Sequence, residues 1–444
     1  MAARSFSRRF SIRMSNLAEG HRTDGLSEVS GTRRKENIMM AKRGLLSLFV
    51  FGLAAVALAG PAAAQPLGKT EIVFGGAVAL TGPASFDGTY YKKGYELWVE
   101  EINKRGGILG AKVKLVLYDD KSNANEAVSR YEKLISVDKV DFLVGPWTSG
   151  ITAPVAAVAQ KYARLFVEGG GCAAPIFERG NKWIFSTMTA VDHGHSQNLF
   201  EWIQSLAPDK RPKTATLTFH NSLWAQGCAK GVRARAAETG VKLLLDEAYS
   251  PTMSDATPLV SKIKAANPDM ILNCGYLSDG VLVARTLKEL KVNAQVLWMS
   301  DGPPNPAWGS ILGGLANHTL GTTHWEPAVP YTGAKELAAL YKEKFNEGIY
   351  DKVALAWASL QVYEQAIKGV KSLDQEKIRD YIRTETFDLV VGPTRFADNG
   401  MPTISTLLDV QWVDGKRIVV WPKKDRVLGK PIDAEEIVFP KPAW

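Results

Sequence analysis

Cysteine and histidine are scarce in this chain of 444 residues, which holds three cysteines and six histidines. Cys172, Cys228 and Cys274 can form at most one disulfide, they leave at least one thiol over, and no two have CxxC spacing. His193 and His195 form a His-Gly-His without a nearby cysteine or a spaced third ligand, so we interpret them as polar residues near a loop. The sequence therefore predicts neither a disulfide framework nor a metal or cofactor site.

Recognisable catalytic motifs are also missing. The chain contains no Walker loop and no GxGxxG, GxSxG or HExxH motif. Asp119 and Asp120 resemble a catalytic pair, but adjacent residues on a strand point to opposite faces, which favours a role in a turn or a cap. No nucleophile, base and orienting group are assembled. The sequence therefore predicts binding without chemistry, and not an enzyme.

Excess charge is missing from the body of the chain. The formal net charge of +8 comes mostly from residues 1–43, which hold ten Lys or Arg and four Asp or Glu, and residues 44–64 hold none. The rest of the chain carries 44 basic and 42 acidic residues. A body so close to neutrality gives no reason to expect nucleic acid or an anionic membrane as partner.

The basic N-terminal segment has the pattern of an export signal. Lys42-Arg43 precedes an apolar run over residues 44–59, and small residues fill positions 60–64. We predict a signal peptide over residues 39–64, cut between Ala64 and Gln65. The run is too short and too rich in alanine for a comfortable membrane span, although an anchor is the alternative. Residues 1–38 precede a natural start at Met39 or Met40 and are interpreted as a non-native or disordered extension.

The chain is organised around residues 140–152. Residues 142–144 are an apolar run typical of a strand buried on both faces, Gly145-Pro146 ends it, and residues 153–162 favour a helix. This order places Thr148, Ser149 and Thr152 beyond the carboxyl end of a strand, where backbone N–H groups and the helix dipole favour an anion. The alternative is that Ser149 only caps the helix.

Strands and helices alternate along the rest of the chain from residue 70. One run of βαβ units ends near Ala190, and a second run follows it. No low-complexity linker separates the runs, so we expect an α/β protein with two lobes and a cleft between them. The Pro- and Gly-rich residues 302–314 are predicted to form a loop, residues 270–273 a strand and residues 403–412 a strand-like segment. Residues 90–104 place Tyr91, Tyr95, Trp98 and Ile102 at helical spacing, which predicts one apolar stripe facing a sheet.

Several motifs in order resemble those of a known family: residues 80–83, 100–103, 105–110, 118–120, 144–152 and 185–187. Together they resemble the periplasmic substrate-binding proteins of branched-chain amino-acid ABC importers. The resemblance implies a type I periplasmic binding fold, in which two doubly wound parallel-sheet lobes are joined by three crossings. Lobe 1 would be residues 69–189 plus 327–403, and lobe 2 would be residues 190–326 plus 404–444. It also implies a periplasmic location, permease and ATPase partners, and a monomer.

The resemblance also implies a binding site between the lobes. Ser149 and the backbone N–H groups from Gly170 to Cys172 would hold the carboxylate of a ligand. Aromatic rings would cover the ligand from both walls, and an acidic residue would neutralise an amino group. The residues at these positions are Phe86, Trp224 and Tyr276 for the rings and Asp301 for the acid. Each ring could instead be ordinary packing, and Cys172 could be a small buried filler.

Two functions from different classes follow. One is the receptor of an importer. Its favoured ligand is an apolar or branched-chain amino acid, and the alternative ligand is an aromatic or aliphatic carboxylate without an amine. The other is a ligand sensor on the same fold. Asp301 favours an amine on the ligand, unless a cation of the protein already pairs with it.

Overall fold

A computed structural model describes residues 67–444, so the predicted signal peptide lies outside the described residues. The first sheet has five parallel strands in the order β2-β1-β3-β4-β5. Its strands are β1 Glu71–Val78, β2 Lys112–Asp119, β3 Phe142–Val144, β4 Phe166–Glu168 and β5 Ile184–Ser186. The helices that follow the first four strands are α1 Ser85–Lys104, α2 Ala124–Ser136, α3 Ser149–Lys161 and α4 Ala174–Phe177.

The second sheet has seven strands in the order β14-β13-β10-β9-β8-β6-β7, and β13 and β14 are antiparallel. Its strands are β6 Thr214–His220, β7 Lys242–Tyr249, β8 Met270–Cys274, β9 Val296–Met299, β10 Thr319–Thr323, β13 Leu408–Val413 and β14 Lys416–Trp421. The accompanying helices are α5 Val191–Gly194, α6 Gln197–Ser205, α7 Leu223–Thr239, α8 Thr257–Ala266, α9 Leu277–Glu289, α10 Ala307–Leu312 and a 3₁₀ turn Gly313–Ala316.

After β10 the chain returns to the first sheet. This segment holds α11 Ala334–Phe345, α12 Asp351–Val370, α13 Gln375–Thr384 and a hairpin of β11 Thr386–Leu389 and β12 Gly392–Arg395. The hydroxyl of Tyr363 on α12 lies 2.7 Å from the carbonyl oxygen of Leu143 and 2.9 Å from that of Leu165. Helix α12 therefore packs on the first sheet before the chain crosses again to β13. Three crossings connect the two lobes, which confirms the predicted fold class, while the residue-level lobe boundaries stay a prediction.

The five parallel strands have the same order in both lobes. In each lobe the second strand along the chain lies at one edge, next to the first strand, and the third, fourth and fifth strands follow in order. The order is β2-β1-β3-β4-β5 in lobe 1 and β7-β6-β8-β9-β10 in lobe 2. The direction in which successive strands are added to the sheet therefore reverses once in each lobe. The reversal lies between β1 and β3 in lobe 1 and between β6 and β8 in lobe 2. In open α/β sheets ligands bind outside the carboxyl ends of the strands at such a point.

The helices were largely predictable from apolar periodicity. The predicted stripe on α1, formed by Tyr91, Tyr95, Trp98 and Ile102, is fully buried or nearly so. Helix α2 begins after Asn123, whose side chain accepts hydrogen bonds from the backbone N–H groups of Asn125 and Glu126. Asp119 accepts from the N–H groups of Leu80 and Lys121, which confirms its expected role in a turn.

Two local predictions were wrong. Residues 302–314 are not all loop, because α10 forms there and buries Trp308 completely. The strand expected from Thr403 begins only at Leu408. In both places burial of large apolar side chains against the rest of the lobe decides the local structure, and the turn-forming composition does not.

Cysteine pairing is decided by the fold. Cys228 on α7 and Cys274 on β8 form a disulfide within lobe 2, and Cys172 is a free, buried thiol in lobe 1. Within residues 67–444, no helix is long and apolar enough to cross a membrane.

Candidate functional site

The predicted site residues follow equivalent strands in the two lobes: Phe86 after β1, Ser149 after β3, Gly170 and Cys172 after β4, Trp224 after β6, Tyr276 after β8 and Asp301 after β9. The carboxyl ends of parallel strands meet at one edge of a sheet, so each lobe presents its residues along one edge. These two edges form the candidate site.

Ser149 is completely buried in the first turn of α3. Its Oγ accepts hydrogen bonds from the backbone N–H groups of Cys172 at 3.1 Å and Ala173 at 3.2 Å. Thr148 is the residue before the helix and has a φ of 79°, a conformation that β-branched residues rarely adopt. The suggestion that Ser149 only caps its helix is therefore wrong, because this side chain joins the loop after β3 to the loop after β4.

The loop after β4 fits closely under the loop after β3. A Cβ atom on Gly170 would lie 1.9 Å from the carbonyl oxygen of Pro146, so only glycine can occupy this position. The backbone N–H groups of Gly170 and Gly171 both donate to Oε2 of Glu168, each at 2.6 Å. The carboxylate of Glu168 thus occupies the backbone donors at the end of its own strand.

Glu168 is completely buried. Burial raises its pKa to about 7, although the Ser186 hydroxyl and the two backbone N–H groups act in the opposite direction. The Ser186 hydroxyl lies near this carboxylate, but the second oxygen, Oε1, forms no hydrogen bond of normal geometry within residues 67–444.

Cys172 connects the two walls of the site. It is fully buried, and burial raises the pKa of its thiol well above the usual range. Lys352 and Trp224 lower this pKa, whereas Asp301 raises it, so side chains of both lobes lie close to the thiol. A neutral, buried thiol at this position is a small packing group that also faces the candidate site.

The wall from lobe 2 is aromatic. The rings of Trp224 and Tyr276 lie 5.2 Å apart between centroids, and His195 packs edge-on against Trp224 at 5.3 Å. Asp301 and Cys172 both contribute to raising the pKa of Tyr276, although burial is the larger cause. Trp224 and Tyr276 therefore lie where the sequence placed them, beside the residues that follow β4 and β9.

Asp301 pairs with a cation of the protein. Its Oδ1 accepts a hydrogen bond from Nζ of Lys352 at 3.1 Å, and the same ammonium lies 3.3 Å from Oδ1 of Asp351. The two carboxylates come from different lobes, and the side chains of all three residues are at least nine-tenths buried. The Lys352 ammonium also lies 4.5 Å from the ring centroid of Trp147 and 4.9 Å from that of Tyr350.

The electrostatics of this group are tightly coupled. Burial raises the pKa of Asp301 to about 6, with Lys352 acting against the rise. Burial also favours neutral Asp351, but Lys352 and His324 outweigh it and hold the pKa of Asp351 below its usual range. Lys352 is likewise penalised by burial, yet Asp301, Asp351 and Asp87 raise its pKa. The ammonium is therefore charged at neutral pH.

The structure places Asp87, not Phe86, beside this group. Phe86 is 37% exposed and packs on Tyr90, whereas Asp87 is buried and lies 3.4 Å from Nδ2 of Asn305 in lobe 2. Burial raises the pKa of Asp87 to about 7, and Asp301 adds to the rise. The role predicted for Phe86 as a ligand cover stays a prediction.

We call Asp87, Asp301, Asp351 and Lys352 the charged cluster. Sequence reasoning found only Asp301 among them and also missed Glu168. Two signals were present in the sequence: Asp351-Lys352 precedes an apolar helix, and Glu168 ends an apolar strand. Charged residues at such positions have to be paired or hydrogen-bonded when they are buried.

The two histidines of the His-Gly-His motif have different surroundings. His195 is buried against His324, with ring centroids 5.2 Å apart, while the side chain of His193 is 80% exposed. Among residues 67–444, no three His, Cys, Asp or Glu side chains are grouped as metal ligands.

A cavity of about 600 Å³ borders the site. Ala174 and Leu223, which adjoin Ala173 and Trp224, line it together with residues of α4, β6 and α7. None of the seven predicted site residues lines this cavity. It lies next to the candidate site and does not coincide with it.

These features define a two-lobed α/β protein with a candidate binding site between the lobes. The family model for periplasmic binding proteins matches residues 71–416, and the chain belongs to this family. This is a family of binding receptors and not of enzymes, in agreement with the prediction, and membership implies an extracytoplasmic location.

Several proteins similar to this chain are described as amino-acid binding proteins. The Leu/Ile/Val-binding protein BraC3 of Rhizobium johnstonii is 28% identical, over 79% of this chain and 94% of its own length. A leucine-, isoleucine-, valine-, threonine- and alanine-binding protein of Pseudomonas aeruginosa is 27% identical, over 78% of this chain and 91% of its own. The structure of the branched-chain amino acid transporter substrate-binding protein LivJ of Streptococcus pneumoniae with isoleucine matches with a TM-score of 0.71. It is 25% identical, over 79% of this chain and all of that one.

Proposed function

We propose that this protein is the solute-binding receptor of an ABC importer, which closes on a small ligand between its lobes and delivers it to a permease and ATPase in the membrane. The observation that carries the proposal is the convergence of equivalent strand ends from both lobes on one buried site. Contacts across the lobes, such as Lys352 to Asp301 and Asn305 to Asp87, would form only in the closed arrangement.

The first ligand to test is an apolar amino acid, because the similar proteins bind leucine, isoleucine and valine by description. Such a ligand would place its carboxylate at Ser149 and at the N–H groups from Gly170 to Cys172, its ammonium at Asp301 and its side chain against Trp224 and Tyr276. The second candidate is a ligand without an amine. The ion pair of Asp301 with Lys352 favours this second candidate, since the acid already has its cation.

The receptor function is tested by reconstitution. The mature protein should lower its radius of gyration in small-angle scattering when ligand from a periplasmic extract is added. It should also stimulate the ATPase activity of the permease and ATPase subunits in proteoliposomes, and the ligand should be recovered unchanged. Closure without any stimulation would favour a sensor on the same fold. A ligand recovered in altered form would contradict the proposal.

A further inference from the structure

A zwitterionic ligand needs two partners that the protein leaves free. Its carboxylate requires a set of N–H donors, and its ammonium requires a buried carboxylate that has no other cation. Both kinds of partner are present at the candidate site, but the N–H donors and Asp301 are already engaged by side chains of this chain. Asp87, the remaining buried acid, lies 3.4 Å from Asn305, and burial raises its pKa to about 7, which favours the neutral form that needs no cation.

The donors at the end of β4 are occupied. Gly170 and Gly171 donate to Glu168, and Cys172 and Ala173 donate to Ser149, at distances from 2.6 to 3.2 Å. A ligand carboxylate that took these donors would leave the carboxyl of Glu168 buried beside it without them. Like charges in a buried site disfavour each other strongly, so this exchange is costly.

The acceptor in lobe 2 is occupied as well. Asp301 holds the Lys352 ammonium at 3.1 Å, and both side chains are almost completely buried. A ligand ammonium that took Asp301 would lie beside the Lys352 ammonium, which would keep only Asp351 as its partner in the same buried cluster. Two like charges close together in a buried site disfavour each other.

We propose that Glu168 and Lys352 stand in for the carboxylate and the ammonium of an amino acid, and that this receptor takes an uncharged ligand. The inference rests on the proposed receptor function and specifies its ligand. Trp224 and Tyr276 supply a flat apolar surface for the body of the ligand.

The hydrogen-bonding positions left at the site suit a neutral group. Ser149 accepts both of the hydrogen bonds that it forms within the described residues, so its hydroxyl proton is available to a ligand oxygen. Glu168 Oε1, buried without a partner among those residues, accepts from an O–H or N–H group. A hydroxyl or a primary amide both accepts and donates, so a ligand that carries such groups offers both kinds of partner without adding charge.

The wild-type protein is tested with probes on one carbon skeleton. Calorimetry would compare 3-phenylpropan-1-ol and 3-phenylpropanamide, which are uncharged, with 3-phenylpropanoate, 3-phenylpropan-1-amine and phenylalanine. We expect any binding to be tightest for an uncharged probe, by roughly tenfold or more over each charged one, the effect of one charge-assisted bond. Tightest binding of phenylalanine or of either singly charged probe would overturn the proposal.

Variants test the two surrogates directly. The double variant Glu168→Ala/Lys352→Ala removes both, and we expect it to bind phenylalanine or leucine roughly a hundredfold more tightly than the wild type. Equal or weaker binding by the double variant would overturn the proposal. Circular dichroism checks folding, and the milder pair Glu168→Gln/Lys352→Met repeats the test if the first variant does not fold.

These results are separable from those for the receptor function. Stimulation of the transporter by ligand from a periplasmic extract reports on the receptor, whatever charge that ligand carries. A protein that stimulates transport and binds phenylalanine best would refute only the inference on charge. A protein that never stimulates the transporter would refute the receptor function, and the probe series would still decide which charges the site accepts.

Discussion

The two lobes have the same order of parallel strands, yet different types of side chain follow the carboxyl ends of those strands. In lobe 1 the loop after β4 is closed by its own polar groups, Glu168 and Ser149, which accept four consecutive backbone N–H groups. In lobe 2 the equivalent edge carries the rings of Trp224 and Tyr276 and the acid Asp301, whose cation comes from lobe 1. The fold therefore fixes where a site forms, and the loop residues decide what it can bind.

The cysteines show the same contrast. Lobe 2 is crosslinked by the disulfide of Cys228 and Cys274, next to Trp224 and Tyr276, whereas lobe 1 keeps Cys172 as a buried thiol at the site. The crosslink holds the aromatic wall of lobe 2 on a rigid base. The polar wall of lobe 1 is held by hydrogen bonds alone.

The largest effect is expected at the ion pair that joins the lobes. Lys352→Ala leaves Asp301 and Asp351 buried without their cation, which should lower the free energy of unfolding by roughly 3–5 kcal/mol. Urea titration would measure it. Lys368→Ala on the same helix is the control: this half-exposed lysine pairs with Glu364, which keeps Arg105 as a second cation, so the free energy should change far less. Equal effects of the two variants would show that the lobes do not depend on this pair.

The disulfide should stabilise lobe 2, whereas the free thiol of lobe 1 should contribute no such stabilisation. It closes a sequence separation of 46 residues, for which chain entropy predicts about 4 kcal/mol. Cys228→Ala/Cys274→Ala should therefore lower the midpoint of urea unfolding, whereas added reductant should then have no further effect. Cys172→Ala serves as the control in lobe 1 and should not make the protein insensitive to reductant. A double variant as stable as the wild type would contradict the assignment.

Glu168 should give lobe 1 a pH dependence. Its pKa is raised from 4.5 to about 7 by burial, so its contribution to stability is fully present below about pH 4.5 and is lost as pH rises through about 7. The free energy of the wild type relative to Glu168→Gln should fall by about 3 kcal/mol between pH 4.5 and pH 8. Urea titrations at several pH values would measure this difference. Glu178→Gln, at an exposed position in lobe 1, should show no such trend.

Ser149 should have the smallest effect of the four. Ser149→Ala leaves the N–H groups of Cys172 and Ala173 buried without an acceptor, which should cost roughly 1–3 kcal/mol of stability. It should also weaken ligand binding, because the hydroxyl is a candidate ligand contact, and calorimetry would detect this loss. Ser136→Ala, on the exposed end of α2, is the control. A Ser149→Ala protein unchanged in both properties would contradict the bridging role assigned to this side chain.

The sequence by itself determined the order of elements and supplied candidates for the site. Apolar periodicity predicted the stripe on α1, and the short apolar runs predicted β3 and β8, because these signals are local in the chain. The position of Ser149 past a strand end and the two-lobed fold followed from the same pattern. Cys172, Trp224, Tyr276 and Asp301 were singled out by the resemblance to the family.

Only the tertiary structure decided how these residues are paired. Lys352 lies 51 positions from Asp301, and the two meet because α12 packs on lobe 1 while β9 belongs to lobe 2. Cys228 forms its disulfide with Cys274 and not with Cys172, because Cys228 and Cys274 lie in the same lobe. The carboxylate of Glu168 accepts hydrogen bonds from N–H groups of the loop that follows it, and these contacts depend on how that loop folds back. Local patterns carry no information on such contacts, because they depend on packing between segments that are distant in the chain.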